Sequence, residues 1–191
     1  MAEDELRERL AELEQQIADL HRGVSVAARA DGANVVASGP GTIADAMKLV
    51  LSEMRREVPY DSCSVQELRG SRLVIVGGVG FAHLDVIVGE SFELDNIDIP
   101  NGEVIYRRRP LLVSDTEQYR AFRRGLHVGS GIRSWLGVPL LAGDSVLGML
   151  ALDKAESDFY SQEHMRQAME YASLLGRAML RGRSDDAAQT A

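Results

Sequence analysis

Apolar residues recur along the N-terminal segment at Leu6, Leu10, Leu13, Ile17, Leu20 and Val24, in alternating steps of four and three between charged neighbours. That is the heptad period, and it predicts a long helix with a narrow apolar stripe over residues 1–31. With Leu6, Leu13 and Leu20 at d, Leu10, Ile17 and Val24 fall at a, a pattern that favours a parallel two-stranded coiled coil. In that register Arg9 at g meets Glu14 at e of a second copy, and the six stripe residues form a homodimer interface. The alternative is an amphipathic helix folded back on its own domain. It ranks second, because such helices usually carry a wider apolar face.

Small residues and a Gly-Pro-Gly punctuation in GANVVASGPG place a linker at 32–41. Thr42 then reads as a helix cap, and Ile43, Met47, Val50, Leu51, Met54 and Val58 follow at helical spacing until Pro59 stops the run. Strands are predicted at 62–68 and 73–79 about the polar turn Arg69-Gly70-Ser71, and a third at 86–94, weakened by Gly89. Pro100 and Asn101 open a short helix to Arg108, Pro110 precedes a brief strand at 111–114, and 119–125 offers a further helical turn. Ser161 caps a final helix striped by Met165, Ala168, Met169, Ala172, Leu175 and Met179. The polar tail 184–191 is predicted to be disordered.

The segment from Ser134 to Asp153, SWLGVPLLAGDSVLGMLALD, sets the architecture. It holds two apolar runs about a Gly-Asp turn, without the apolar-polar alternation of a strand wetted on one face. Both faces must therefore be covered. The helices starting near Thr42 and Ser161 supply one cover, and the irregular stretch from Phe81 to Ile132 supplies the other. Hairpin connections favour an α+β fold with an antiparallel sheet over a doubly wound one. A sheet roofed by loops and short helices commonly encloses a cavity.

The run from Trp135 through Pro139 to Leu141, the turn Gly143-Asp144, the strand from Val146 to Asp153, Phe159 and the long last helix resemble the C-terminal half of a GAF domain. The segment Gly102-Glu-Val-Ile-Tyr-Arg-Arg-Arg-Pro110-Leu-Leu-Val-Ser-Asp115 is similar to the middle element of that family. The likeness spans residues 42–183. It implies a six-stranded antiparallel sheet, helices behind it forming a dimer face, a small-molecule pocket in front and a regulatory role. The pattern Asn-Lys-Phe-Asp-Glu linked with cyclic-nucleotide modules is absent. Free methionine sulfoxide reductases of this fold rely on several cysteines, whereas this chain has one, so no thiol relay can be completed.

Composition narrows the field further. Across 191 residues, 21 Lys and Arg stand against 29 Asp and Glu, which removes the general attraction for nucleic acid or anionic lipid. One cysteine, Cys63, and no apolar run of membrane-spanning length predict a cytoplasmic protein with no nucleic-acid or membrane partner. Cys63 sits in the first strand and reads as a small buried hydrophobe. His21, His83, His127 and His164 lack metal-binding spacing, and no nucleophile motif is present, so neither cofactor, metal nor catalysis is expected. Arg107, Arg108, Arg109, Arg120, Arg123, Arg124 and Arg133 make a cationic segment. One arginine turned inward, Arg123 above all, would hold an anionic ligand; the rest read as surface ion pairs. Phe81, Phe92, Tyr106, Tyr119, Phe122 and Trp135, with His83, complete the expected ligand-binding set. The sequence thus predicts a non-enzymatic, dimeric sensory domain acting on a signalling partner in trans. A ligand-free dimerisation or adaptor module and a reductase-like enzyme rank below it.

Overall fold

A computed structural model describes residues 2–30, 43–94, 99–122 and 131–189, with side chains placed for all of these except 2, 20–30 and 182–189. The expected linker, the Thr42 cap and the side chains of Leu20, His21, Val24, Arg123, Arg124 and His127 lie outside the described residues. Helices α1 (Ala2–Ala30) and α2 (Ile43–Glu57) precede strands β1 (Ser62–Arg69) and β2 (Arg72–Val79). Helix α3 (Leu84–Ile87), β3 (Ser91–Glu93), α4 (Pro100–Arg107) and β4 (Leu111–Val113) follow. The hairpin β5 (Ser134–Ala142) and β6 (Ser145–Lys154) leads to α5 (Gln162–Gln189).

The six strands form one antiparallel sheet in the order β3-β2-β1-β6-β5-β4. The hairpin lies near its middle and is covered on both sides. Behind, Leu136, Val138, Leu140, Leu150 and Leu152 share a buried cluster with Val50, Leu51 and Met54 of α2 and Ala168, Ala172 and Leu175 of α5. In front, Trp135, Met149 and Ala151 are buried with Val104 and Ile105 of α4, Val113, Leu73 and Leu94. Strand residues alternate between the two clusters as the pleat requires.

Helix α5 starts where Ser161 predicts. The Ser161 Oγ accepts from the His164 backbone N–H at 3.2 Å, and His164 Nδ1 accepts from the Ser161 N–H at 3.3 Å. This is a capping box with histidine in the glutamate role. The helix continues to Gln189, so the chain is helical over 184–189, where the sequence predicts a disordered tail. The strand expected over 86–94 is also corrected. Leu84–Ile87 forms a helical turn closed by the Val88 N–H on the Leu84 carbonyl, and only Ser91–Glu93 pairs with β2. The segment at 119–122 is a turn, with the Phe122 N–H on the Tyr119 carbonyl at 2.9 Å.

Helix α1 packs on its own domain, the second-ranked of the two arrangements expected for its stripe. Leu6, Leu13 and Ile17 are buried in the rear cluster of their own chain, with Leu10 packed against it. Arg9, assigned to a cross-dimer pair, binds Glu57 at 2.8 Å and Glu53 at 3.0 Å on α2. Glu14, its expected partner, instead meets Arg177 and Arg181 of α5 at 3.4 and 3.3 Å. A stripe two residues wide suffices because α1 sits against a ready-made groove between α2 and α5. Each fully buried aliphatic side chain there contributes roughly 1.5–3 kcal/mol, whereas the ion pairs at the rim mainly fix position.

Candidate functional site

Strand register brings together a set of front-face residues that are far apart in the chain. On β1, Cys63 and Val65 point to the rear core, so Ser62, Ser64 and Gln66 point forward. Ser64 is paired with Gly78 of β2 on one side and Ala151 of β6 on the other, and Ala151 is paired with Gly137 of β5. Gly78, Ser64, Ala151 and Gly137 therefore form a row of small residues across four strands. At a strand spacing near 4.8 Å the row is roughly 14 Å long.

An aromatic ring stands at each end. A methyl group on Gly78 would lie 2.9 Å from Phe81 Cε2, and one on Gly137 would lie 2.2 Å from Trp135 Cη2. Phe81 thus covers the β2 end. The Trp135 indole leans along its own strand onto Gly137, held edge-to-face by Phe122 at 6.1 Å between ring centroids.

Polar groups line both flanks of the row. On one flank the Ser62 hydroxyl donates to Asp153 Oδ2 at 2.7 Å. On the other, Gln66 Nε2 donates to Ser64 Oγ at 3.0 Å, and Asn101 Nδ2 of α4 donates to Gln66 Oε1 at 3.0 Å. Ser62, Ser64, Gln66 and Asp153 are all buried. Burial pushes the Asp153 carboxyl up to about 7, with the Ser62 hydrogen bond opposing and nearby Asp61 adding to the rise. Its neighbour Lys154 points elsewhere, bound to Asp61 at 2.8 Å and set over the Phe159 ring.

The expected ligand set divides in three. Phe92, Tyr119, Phe122 and Trp135 meet in the front cluster, and Phe81 joins them at the far end of the row. His83 and Tyr106 do not belong. His83 is exposed at the start of α3, and Tyr106 is 53% exposed, its hydroxyl spent on the Leu94 carbonyl at 2.5 Å. Arg123 lies outside the described residues. The expectation of an anionic ligand gains nothing from the other arginines. Arg107 and Arg109 pair with Glu103, Arg108 donates to the Asp144 carbonyl, Arg133 pairs with Asp115 and Glu117, and Arg120 is exposed.

Sequence reasoning missed Ser62, Ser64, Gln66, Asn101 and Asp153 as site residues. The signal was the alternation of Ser62, Ser64 and Gln66 with Cys63 and Val65. Cys63 itself faces the rear, buried, and burial raises its thiol well above the ordinary range, with Asp153 adding to the shift. Among the described residues no group of three His, Cys, Asp or Glu side chains could hold a metal ion, and no helix is long and apolar enough to cross a membrane.

The fold is shared with several solved structures. A GAF domain from a phosphoenolpyruvate-protein phosphotransferase of Coxiella burnetii superposes with a TM-score of 0.68 at 19% identity, covering 91% of this chain and 98% of that one. Free methionine-R-sulfoxide reductase from Neisseria meningitidis, in complex with its substrate, gives 0.67 at 14% identity over 94% and 91%. The GAF-B domain of DevS from Mycobacterium smegmatis gives 0.58 at 20% identity over 78% and 98%. No match is found among curated proteins. The GAF domain model matches residues 41–179, the sheet and its roof together with α2 and most of α5. By that match, and by a sheet roofed in front and backed by helices, the chain belongs to the GAF domain family.

Proposed function

We propose that this chain is a regulatory domain that binds a small polar molecule on the front of its sheet and passes the change to its helical layer. One observation carries the reading: a row of small residues, closed by Phe81 and Trp135, is flanked by buried polar side chains inside an otherwise apolar layer. Burying hydroxyls, an amide and a carboxyl costs free energy that an apolar core would avoid. A recognition surface has a use for them.

The route to the rear is short. Trp135 is on the front of β5, while Leu136 and Leu140 of the same strand pack on α2 and α5. Helix α5 comes so close at Gly176 that a methyl there would meet the Leu141 carbonyl oxygen at 2.5 Å. A ligand that favours one position of β5 would bias the α1–α2–α5 layer by no more than its difference in affinity for the two states. A second copy or a signalling protein would read that layer.

The Neisseria relative is an enzyme, but here Cys63 is sealed in the rear core with its thiol held protonated, which favours binding over thiol chemistry. A thermal-shift screen of metabolites and nucleotides tests the reading. Stabilisation by a small molecule, lost on Ser64→Leu, is expected. Uniform lack of stabilisation across the screen would overturn it.

A further inference from the structure

We infer that α1 is a releasable clip: through Arg9 it holds Glu53 and Glu57 of α2 away from the buried Tyr171 hydroxyl of α5, and its removal lets that hydroxyl bond to α2. The inference goes beyond the regulatory reading by naming a device in the helical layer. It stands whether or not a molecule binds at the front of the sheet. Its starting point is a group left without a partner. Tyr171 is 1% exposed, and among the described residues its hydroxyl makes no hydrogen bond. A buried hydroxyl in that state is costly, so an acceptor brought within reach would hold it.

The acceptors are near but occupied. Arg9, Glu57, Glu53 and Arg56 all act electrostatically on Tyr171, which puts its phenol beside the charged cluster that joins α1 to α2. In that cluster Arg9 Nη1 donates to Glu57 Oε1 at 2.8 Å and Arg9 Nη2 to Glu53 Oε2 at 3.0 Å, while Arg56 Nη1 donates to the same Glu53 oxygen at 2.8 Å. Among the described residues Arg9 is the one donor to Glu57. A guanidinium binds carboxylates more strongly than a neutral phenol does, so Arg9 keeps them while α1 is docked. Helix α1 is also built to leave. Leu6, Leu13 and Ile17, with Leu10 at the edge, hold it to the rear cluster, and it supplies no strand to the sheet. Whatever draws α1 away thereby frees Glu57 and ties α5 to α2.

A double-mutant cycle by urea denaturation of the full chain is the test. Tyr171→Phe is measured in the wild type and in Arg9→Met, which keeps an aliphatic stem and removes the guanidinium. In the wild type the change deletes an unpartnered hydroxyl, so the folded-to-unfolded ratio should stay level or rise. In Arg9→Met the hydroxyl is bonded to Glu57 or Glu53, and the same change should lower the ratio roughly tenfold. If Arg9→Met fails to fold, the comparison is made in Leu13→Glu, where a charge in the seam frees α1, with the same loss expected. A loss confined to the background without a docked Arg9 supports the clip. An equal effect of Tyr171→Phe in both backgrounds overturns it. So does a tenfold loss in the wild type, which would mean that the hydroxyl is already bonded while α1 is docked.

Discussion

Gly137→Ala tests the front layer directly. A Cβ at that position would stand 2.2 Å from Trp135 Cη2, 2.7 Å from Cζ3 and 2.9 Å from Met149 Cε. Carbon atoms rest at about 3.5–4.0 Å, so the indole must withdraw by roughly an ångström or more. Met149 can swing its thioether aside. Trp135 has less freedom, since Phe122 stands edge-on against it and the front cluster packs around it. Overpacking of this kind costs about 1–3 kcal/mol. For a domain of this size each kcal/mol moves Tm by about 2–4 °C, giving an expected fall of roughly 2–12 °C. Because Trp135 is the chain's one tryptophan, its fluorescence reports this position alone, and the emission should shift to the red as the ring leaves its seat. Gly131→Ala, with nothing within 4 Å of the added methyl, is the control and should change neither signal. If Gly137→Ala matches the control in Tm and emission, the indole does not cover Gly137 and the row of small residues has no ring at that end.

Two further variants probe the ends of the argument. Leu13→Glu places a charge where Leu13 is buried on the chain's own helices. It should free α1, raising its proteolytic cleavage and lowering Tm while leaving the light-scattering mass unchanged; a fall in mass would return the stripe to a dimer seam. Asp153 makes stability depend on pH with a known sign. Its folded value near 7 lies above the unfolded carboxylate's, so its contribution is complete at low pH and is lost as pH rises from about 4 to 7, at up to about 1.4 kcal/mol per unit. Asp153→Asn removes that loss and still accepts the Ser62 hydrogen bond, so urea denaturation should show the variant gaining on wild type from pH 5 to pH 8. Parallel pH profiles would refute the buried carboxyl.

The sheet, its order of elements and its two covers were legible because the signals are local or nearly so. An apolar hairpin without alternation must be covered twice, Pro100 and Ser161 mark helix starts, and Pro59 and Pro110 mark ends. The strand expected at 86–94 shows where alternation misleads. Val86 and Val88 fit the pattern but are 50% and 45% exposed, whereas Ile87 and Leu94 are buried and Phe92 packs against the front cluster. Helix α1 shows a different limit. A heptad stripe states that an apolar seam exists, and Arg9 and Glu14 state that its rim is charged. Neither says which helices lie opposite. Glu53, Glu57, Arg177 and Arg181 satisfy those charges as well as a second copy would, and nothing within α1 distinguishes the two.

The candidate site was least legible for a reason built into sheets. Each strand contributes one or two small or polar residues to the row: Gly78 from β2, Ser64 from β1, Ala151 from β6 and Gly137 from β5. None stands out in its own strand, and the aromatic residues that do stand out supply the ends rather than the floor. What joins them is register. A slip of one residue between β1 and β6 would turn Ser62, Ser64 and Gln66 to the rear and bring Cys63 and Val65 forward, taking that strand's polar groups off the front face. The apolar demand of the rear cluster, where Cys63, Val65, Leu150 and Leu152 are all buried, forbids that slip. The same packing that stabilises the back of the sheet therefore fixes the recognition chemistry at its front, and a variant that loosens the rear core at Val65 should disturb ligand binding without touching the ligand.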